Sequence, residues 1–481
     1  MKSGMFCAAA LAACMAFGAE PDAEGFVSLF NGKDLTGWIG SKSYGVETYK
    51  EKMAGTGEVK EFSVLACQPE KRQKGDSGNL CTEKQYENFI LRFEFCMPEN
   101  GNNGLGLRMT DINADAAYYG MCELQLLDDG GSAYYDKDAK KDKLAPYQYT
   151  ASVYGINPVK RDNVNKQIWG KDGNFTGGGS YVRRPGMWNF EEVRVIGSRI
   201  QVILNGEMVQ DFDVSTVKGD GDTRDHRKHP GLHNKKGHIG WLGHGSHVLW
   251  RNIRIKEVPA DYVVGAETKK ACPEGFTVLF DSTEASLKNW KGVTTDQKFD
   301  NPKVRQAATP EKRAEMQKIA DKQMAEHWHI RDGALYFDGF KGGYSLATAK
   351  DYKDFEMWVD WRTLSVQGDS GLYLRGSPQV QIWDAHNQWG IGSGGLYNNQ
   401  ENERHAMSIA DKQAGDWNRC YLKMVGDRIT VRLNGVTVVD DIPLENANAK
   451  KWPGPIPACE QLELQCHGDP LEFRNIYIRE L

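Results

Sequence analysis

Two strand-like runs carry most of the residues that could do chemistry. In Glu123-Leu-Gln-Leu-Leu-Asp128, β alternation puts Glu123 and Gln125 on one face and Leu124 and Leu126 on the other. In Gly104-Leu-Gly-Leu-Arg108 it puts Leu105 and Leu107 on one face, and Gly104, Gly106 and Arg108 on the other. Both runs present a polar face backed by an apolar one, with glycines that leave room for a ligand beside Arg108. A carboxylate, an amide and a guanidinium on one surface can remove a proton and stabilise the anion left behind. The plain alternative is a solvated sheet face whose Arg108–Glu123 pair contributes little. His244 and His467 each stand before a glycine just ahead of a closing strand, and an imidazole beside a carboxylate can titrate near neutral pH. Six of the eleven histidines, including His226, His229 and His233, lie between His226 and His247. Such a cluster can hold a divalent metal. Its spacing matches no zinc-finger or helix-borne pattern, and Arg227, Lys228, Lys235 and Lys236 favour an exposed basic loop instead.

These residues sit in a sequence that is written twice. Gly186-Met-Trp188-Asn through Leu204-Asn205-Gly206 reads as three strands joined by two tight turns, with Val193, Val195, Ile200, Val202 and Leu204 alternating with polar residues. Asn-Gly is a strong hairpin signal because both turn positions need positive φ. The same phrase returns from Gly415 to Gly435, with Trp417 for Trp188 and Asn434 for Asn205 at a constant offset of 229 residues. Gly25–Trp38 is copied near Gly275–Trp290, Tyr86–Phe95 as Tyr352–Trp361, Asn103–Arg108 as Ser370–Arg375, and Glu123–Asp128 as Gln379–Asp384. The copy returns Arg375, Gln381, Asp384 and His467 at the matching places and weakens the plain reading. It also has the neutral Gln379 where the first half has Glu123. Many short strands punctuated by Gly, Asn and Asp predict an all-β chain of two double-sheet sandwiches, with superposable halves and few helices.

The chain of 481 residues suits two domains, at 24–258 and 274–481, joined by a linker over 259–273. Lys2, the short apolar run Met5–Phe17 and the break at Glu20-Pro21 read as an export signal over 1–19, too short to span a bilayer. Leu11-Ala12-Ala13-Cys14 also fits a lipoprotein box, so a periplasmic or outer-membrane-anchored protein is expected. No other apolar stretch is long enough to span. A net charge of −5 gives no basic field and makes nucleic acid an improbable partner. No CxxC occurs among the ten cysteines. Cys67–Cys81 and Cys459–Cys466 could pair, but buried free thiols are the favoured reading. The first half carries a Tyr-, Lys- and Gly-rich excursion from Gly130 to Pro185, expected to cover the polar face as a lid. The second carries a predicted helix from about Pro310 to His327, capped by Thr309, with Met316, Ile319 and Met324 as a packing stripe.

The phrases Leu29-Phe-Asn-Gly-Lys-Asp-Leu-Thr-Gly-Trp38, Glu123-Leu-Gln-Leu-Leu-Asp128, Gly-x-Trp188-Asn, Leu-Asn-Gly206 and His-Gly245 … Arg-Asn-Ile253 resemble the 3-keto-disaccharide hydrolase family. The resemblance covers nearly the whole chain beyond the signal, twice. It implies a concanavalin A-like lectin/glucanase jelly roll, and action on sugars whose C3 hydroxyl has been oxidised to a ketone, in a bacterium. A C3 ketone acidifies the C2 proton, so cleavage would run by proton abstraction, elimination and hydration. On that reading Glu123 or Asp128 is the base, Arg108 with Gln125 the oxyanion partners and His244 the proton donor, with Tyr154 and Trp241 against the sugar. In the second half Gln379 puts base chemistry in doubt and leaves Arg375, Gln381, Asp384, His386, Tyr397 and His467 as candidates. The competing reading is a lectin-like binding or scaffold protein that stacks sugars on Tyr154, Trp241, Trp383 and Tyr397.

Overall fold

A computed structural model describes residues 21–22, 24–52, 59–113, 120–136, 141–159, 182–183, 185–264, 270–293, 302–340, 345–366, 368–376, 378–384, 392–446, 449–450 and 453–481. Residues 1–19, read above as an export signal, His386 and most of the Gly130–Pro185 excursion beyond Val159 lie outside them. The chain is all-β and divides into two units that part between Tyr262 and Val263. Each is a jelly-roll sandwich of one eight-stranded and one five-stranded sheet, antiparallel in every described pairing. No described helix is long and apolar enough to cross a membrane.

In the first half the larger sheet runs Glu207–Asp213, Arg199–Leu204, Trp188–Ile196, Phe89–Cys96, Leu249–Glu257, Val59–Cys67, Tyr44–Lys52, with Val27–Ser28 also on Leu249–Glu257. The smaller runs Trp38–Gly40, Asn79–Thr82, His238–Leu242, Asn102–Met109, Cys122–Leu127. The second half repeats the central order: Val436–Pro443, Arg428–Leu433, Asn418–Val425, Phe355–Thr363, Leu471–Glu480. Its smaller sheet runs Trp290–Gly292, Leu346–Thr348, Glu463–Leu464, Asp369–Tyr373, Gln379–Trp383. Apolar side chains that alternate inward from both sheets meet in one core per half, as Leu105, Leu124 and Ile239 meet Phe93, Val193 and Val202 in the first.

The repeated phrases are devices that hold this frame. Asn205 and Asn434 take φ of 48° and 51° at the first position of their hairpin turns, which Asn tolerates better than most residues. Their amides also bind back: Asn205 Oδ1 accepts Phe190 N–H at 2.9 Å, and its Nδ2 donates to Asn189 at 2.8 Å. Asn434 makes the same pair with Arg419 N–H and Asn418. Asn252 and Asn475 (φ 52° and 50°) sit in register breaks of the closing strands, where their amides donate to the carboxylates of Glu94 and Asp360. Trp38 and Trp290 each donate an indole N–H to the carbonyl of residue 29 or 279.

The helix predicted from Pro310 forms as Pro310–His327, with Thr309 Oγ1 accepting Lys312 N–H at 3.3 Å. It covers the edge strand Trp290–Gly292: Gln317 donates to Gly292 O, and Asp321 accepts Gly292 N–H, both at 2.9 Å. Of its expected stripe, Met324 packs on the core while Ile319 is exposed. All eight cysteines of the described residues are free thiols; Cys67, Cys81, Cys96, Cys122 and Cys420 are buried, and burial pushes the Cys81 thiol up to about 12.

Candidate functional site

The five-stranded sheet of the first half turns Leu105, Leu107, Leu124, Leu126, Ile239 and Trp241 into the core. Its other face carries Glu123 and Gln125 over Gly104, with Leu242, Met109, Met121 and Cys81 as an apolar floor beside them. Glu123 is only 5% exposed and its Oε1 lies 4.0 Å from His244 Nε2, whose ring is 40% exposed. That is ion-pair range rather than a formed hydrogen bond, and catalytic contacts often tighten only when a substrate binds. Gln125, also on this face, donates weakly to Asn102 Oδ1 at 3.4 Å. The structure thus brings together Glu123, Gln125 and His244.

Other expected members are committed elsewhere. Arg108 takes φ of 51°, which turns its side chain off the alternation, and its guanidinium donates to the carbonyls of Glu87, Gly197 and Asn234. Arg375 does the same at φ 50°, clamping Ala458 O and Gly426 O. Both are framework clamps rather than anion donors on the polar face. Trp241 is 1% exposed between the sheets, stacked on Trp250 at 4.9 Å and edge-on to Phe93, so no sugar ring reaches it. Nor do the glycines leave a vacancy: the Glu123 carboxylate occupies the space above Gly104, and the Met109 and Met121 sulfurs fill that above Gly106. Asp128 anchors a turn, accepting Asn100 N–H at 2.8 Å, and burial raises its pKa.

The described part of the Gly130–Pro185 excursion forms an edge to the sheet instead of lying across its face. Ala151 N–H and Tyr154 N–H donate to Gln125 O and Glu123 O, while Tyr149, Val153 and Ile156 enter the core. Tyr154 is half-buried and packs edge-on to Tyr147 at 5.8 Å.

The histidine-rich loop disperses its rings. His229 meets Asp225 at 3.1 Å, His238 meets Thr82 O at 2.7 Å, and His247 meets Glu47 at 3.1 Å. Among the described residues no group of three or more His, Cys, Asp or Glu is placed to hold a metal ion. Asp225–His229, buried beside Gly155, is a pair that sequence reasoning missed, although its i,i+4 spacing was visible.

In the second half the same face carries Gln379, Gln381, Asp369 and His467. Gln379 lies over Gly371 as Glu123 lies over Gly104. His467 Nδ1 is 3.3 Å from Asp369 Oδ2, and Gln381 Nε2 donates to Asp369 Oδ1 at 2.7 Å. Asp384 is buried; its N–H donates to Gly368 O. Nearby, burial raises the Asp411 carboxyl to about 6, opposed by bonds from Ser393 and reinforced by Asp384. Trp383 is buried edge-on to Tyr397, and Tyr397 is exposed beneath the Arg404 guanidinium at 5.0 Å.

Fold and site together define a jelly-roll sandwich with a carboxylate and an imidazole on one sheet face. The chain belongs to the family described as the 3-keto-alpha-glucoside-1,2-lyase-like domain, whose model matches residues 25–256 and again 275–479. It is 25% identical over 259 residues, covering 49% of this chain and 79% of its relative, to a protein of Bacteroides thetaiotaomicron named 3-keto-disaccharide hydrolase. Two solved structures from Parabacteroides distasonis, each a glycosyl hydrolase candidate by its own description, are also similar. One is 25% identical over 49% of this chain and 95% of its own, with a TM-score of 0.35; the other is 22% identical over 48% and 99%, with a TM-score of 0.34.

Proposed function

We propose that the protein is a carbohydrate hydrolase that cleaves the glycosidic bond of 3-keto-glucosides, and that the first half does so with Glu123 and His244. The observation that carries this reading is the buried Glu123 carboxylate 4.0 Å from the half-exposed His244 imidazole on the polar sheet face. Family membership supports the substrate class.

In this mechanism Glu123 takes the C2 proton, which the C3 ketone has acidified, and the electron pair moves into an enolate. The Gln125 amide, on the same face, takes the oxyanion-stabilising role, since Arg108 is committed to backbone carbonyls. The enolate re-forms the ketone as its electrons make a C1–C2 double bond, and the C1 oxygen leaves with a proton from His244. Water then adds at C1 and gives its proton to His244, while Glu123, whose carboxyl proton has exchanged with solvent, protonates C2; the free 3-keto sugar forms and both groups regain their starting states. A direct displacement by two carboxylates fits less well, because no second carboxylate joins Glu123 on this face among the described contacts.

The test is aglycone release from a 3-keto-glucoside and from the unoxidised glucoside. Release from the oxidised substrate alone is expected. Binding of either sugar without release would favour the lectin-like reading, for which the exposed Tyr397 ring is the best platform.

A further inference from the structure

We propose that the second half is not a decayed copy but holds a second proton-transfer pair, Asp369 and His467, in which the carboxylate has moved to the neighbouring strand. This deepens the reading above and rests on it. The strand register fixes the correspondence. Gly104 pairs with Gln125 and Asn102 with Leu127 in the first half; Gly371 pairs with Gln381 and Asp369 with Trp383 in the second. Gln379 therefore stands for Glu123, Gln381 for Gln125, and Asp369 for Asn102. The matching placement of Gln379 above Gly371 and of Glu123 above Gly104 excludes a slipped register.

The two halves differ by a reciprocal exchange. Where the first has a carboxylate at 123 and an amide at 102, the second has an amide at 379 and a carboxylate at 369. Each face keeps an acidic group beside the histidine that precedes the closing strand; the second also carries Glu463, in register with Tyr373 and held by Gln461 Nε2 at 2.7 Å. In the second half the pair is closer, at 3.3 Å. Gln381 Nε2 holds one Asp369 oxygen at 2.7 Å, while Gln379 Nε2 donates to Gln381 Oε1 at 3.0 Å and to Gln465 Oε1 at 2.8 Å. Asn398 donates to Gln379 Oε1 at 3.3 Å, completing an amide chain that ends on the carboxylate. Such second-layer bonds fix a catalytic carboxylate, and a merely solvated face has no need of them. Asp369 and His467 remain 25% and 55% exposed, so a substrate can reach both.

Asp369 is then the base that accepts the C2 proton in this half, and His467 the donor to the leaving oxygen. The neutral Gln379 binds rather than reacts. The proton balance is that of the first half: one proton leaves C2 for Asp369, one passes from His467 to the aglycone, and hydration restores both.

The experiment uses the full chain with Glu123→Gln, Asp369→Asn and the double variant, assayed on α- and β-linked 3-keto-glucosides, with thermal melts confirming that each is folded. Glu123→Gln is expected to retain measurable turnover on at least one substrate, and adding Asp369→Asn to lower that remainder at least tenfold. His467→Gln in the Glu123→Gln background, at a half-exposed position, should do the same and serves if Asp369→Asn does not fold. Complete loss in Glu123→Gln alone, or a remainder indifferent to both second-half substitutions, overturns this inference and leaves the first-half reading intact. A wild-type protein inert on every 3-keto-glucoside overturns both.

Discussion

Glu123 and Glu191 are buried carboxylates on strands of the same half, and their surroundings give them opposite uses. Glu123 lies over a glycine within ion-pair range of an imidazole. Glu191 is fully buried, paired in register with Phe93 and Leu204 on the core side, and among the described residues neither of its oxygens has a hydrogen-bond partner. Burial alone pushes its carboxyl up to about 8. A group raised in the folded state favours folding fully below its unfolded pKa, and that contribution is lost as pH climbs to the folded value. Stability should therefore fall between about pH 4.5 and 8, by up to about 1.4 kcal/mol per pH unit. Glu191→Leu should melt above the wild type at pH 8 by a margin that shrinks toward pH 5; parallel melting curves would contradict the assignment. Cys420, at the matching position of the second half, shows that an uncharged side chain packs there. For Glu123 the expected outcome is kinetic. In an Asp369→Asn background, Glu123→Gln should lower kcat by roughly two to four orders of magnitude with little change in KM. A raised KM at unchanged kcat would mean that the carboxylate only anchors a hydroxyl.

At the scale of elements, the duplicated hairpin was legible because Asn-Gly turns and two-residue alternation are local rules. Asn205→Ala loses both the tolerance of positive φ and two side-chain hydrogen bonds, and should cost about 2–3 kcal/mol in denaturant unfolding. Asn205→Gly keeps the backbone tolerance and should cost less; equal losses would mean that the amide bonds alone matter. The site was less legible for three physical reasons. Alternation fails at Arg108, whose positive φ sends the guanidinium to the frame. Trp241 obeys alternation, but on the core side, and an aromatic is no sign of which face it takes. Asp369 was missed because matching Asn103 to Ser370 begins one residue too late to show Asn102 against Asp369. The edge role of Tyr149–Val159 depends on backbone pairing with Gln125 and Glu123, which no local pattern announces.

At the scale of the molecule, each half has its own core, its own pair of sheets and its own carboxylate–histidine pair. That arrangement lets one copy exchange its acidic position while the other keeps the first, since neither core depends on the exchange. The central claim is that these faces cleave by removing the proton at C2. The most direct test is a 3-keto-glucoside deuterated at C2, turned over in ordinary water, with the sugar product analysed by mass spectrometry at early times against a buffer blank. The account predicts a slowed reaction and exchange of the C2 deuterium in the product beyond that of the blank. Product that keeps its deuterium, formed at the same rate as from unlabelled substrate, would contradict it and point to direct displacement at C1.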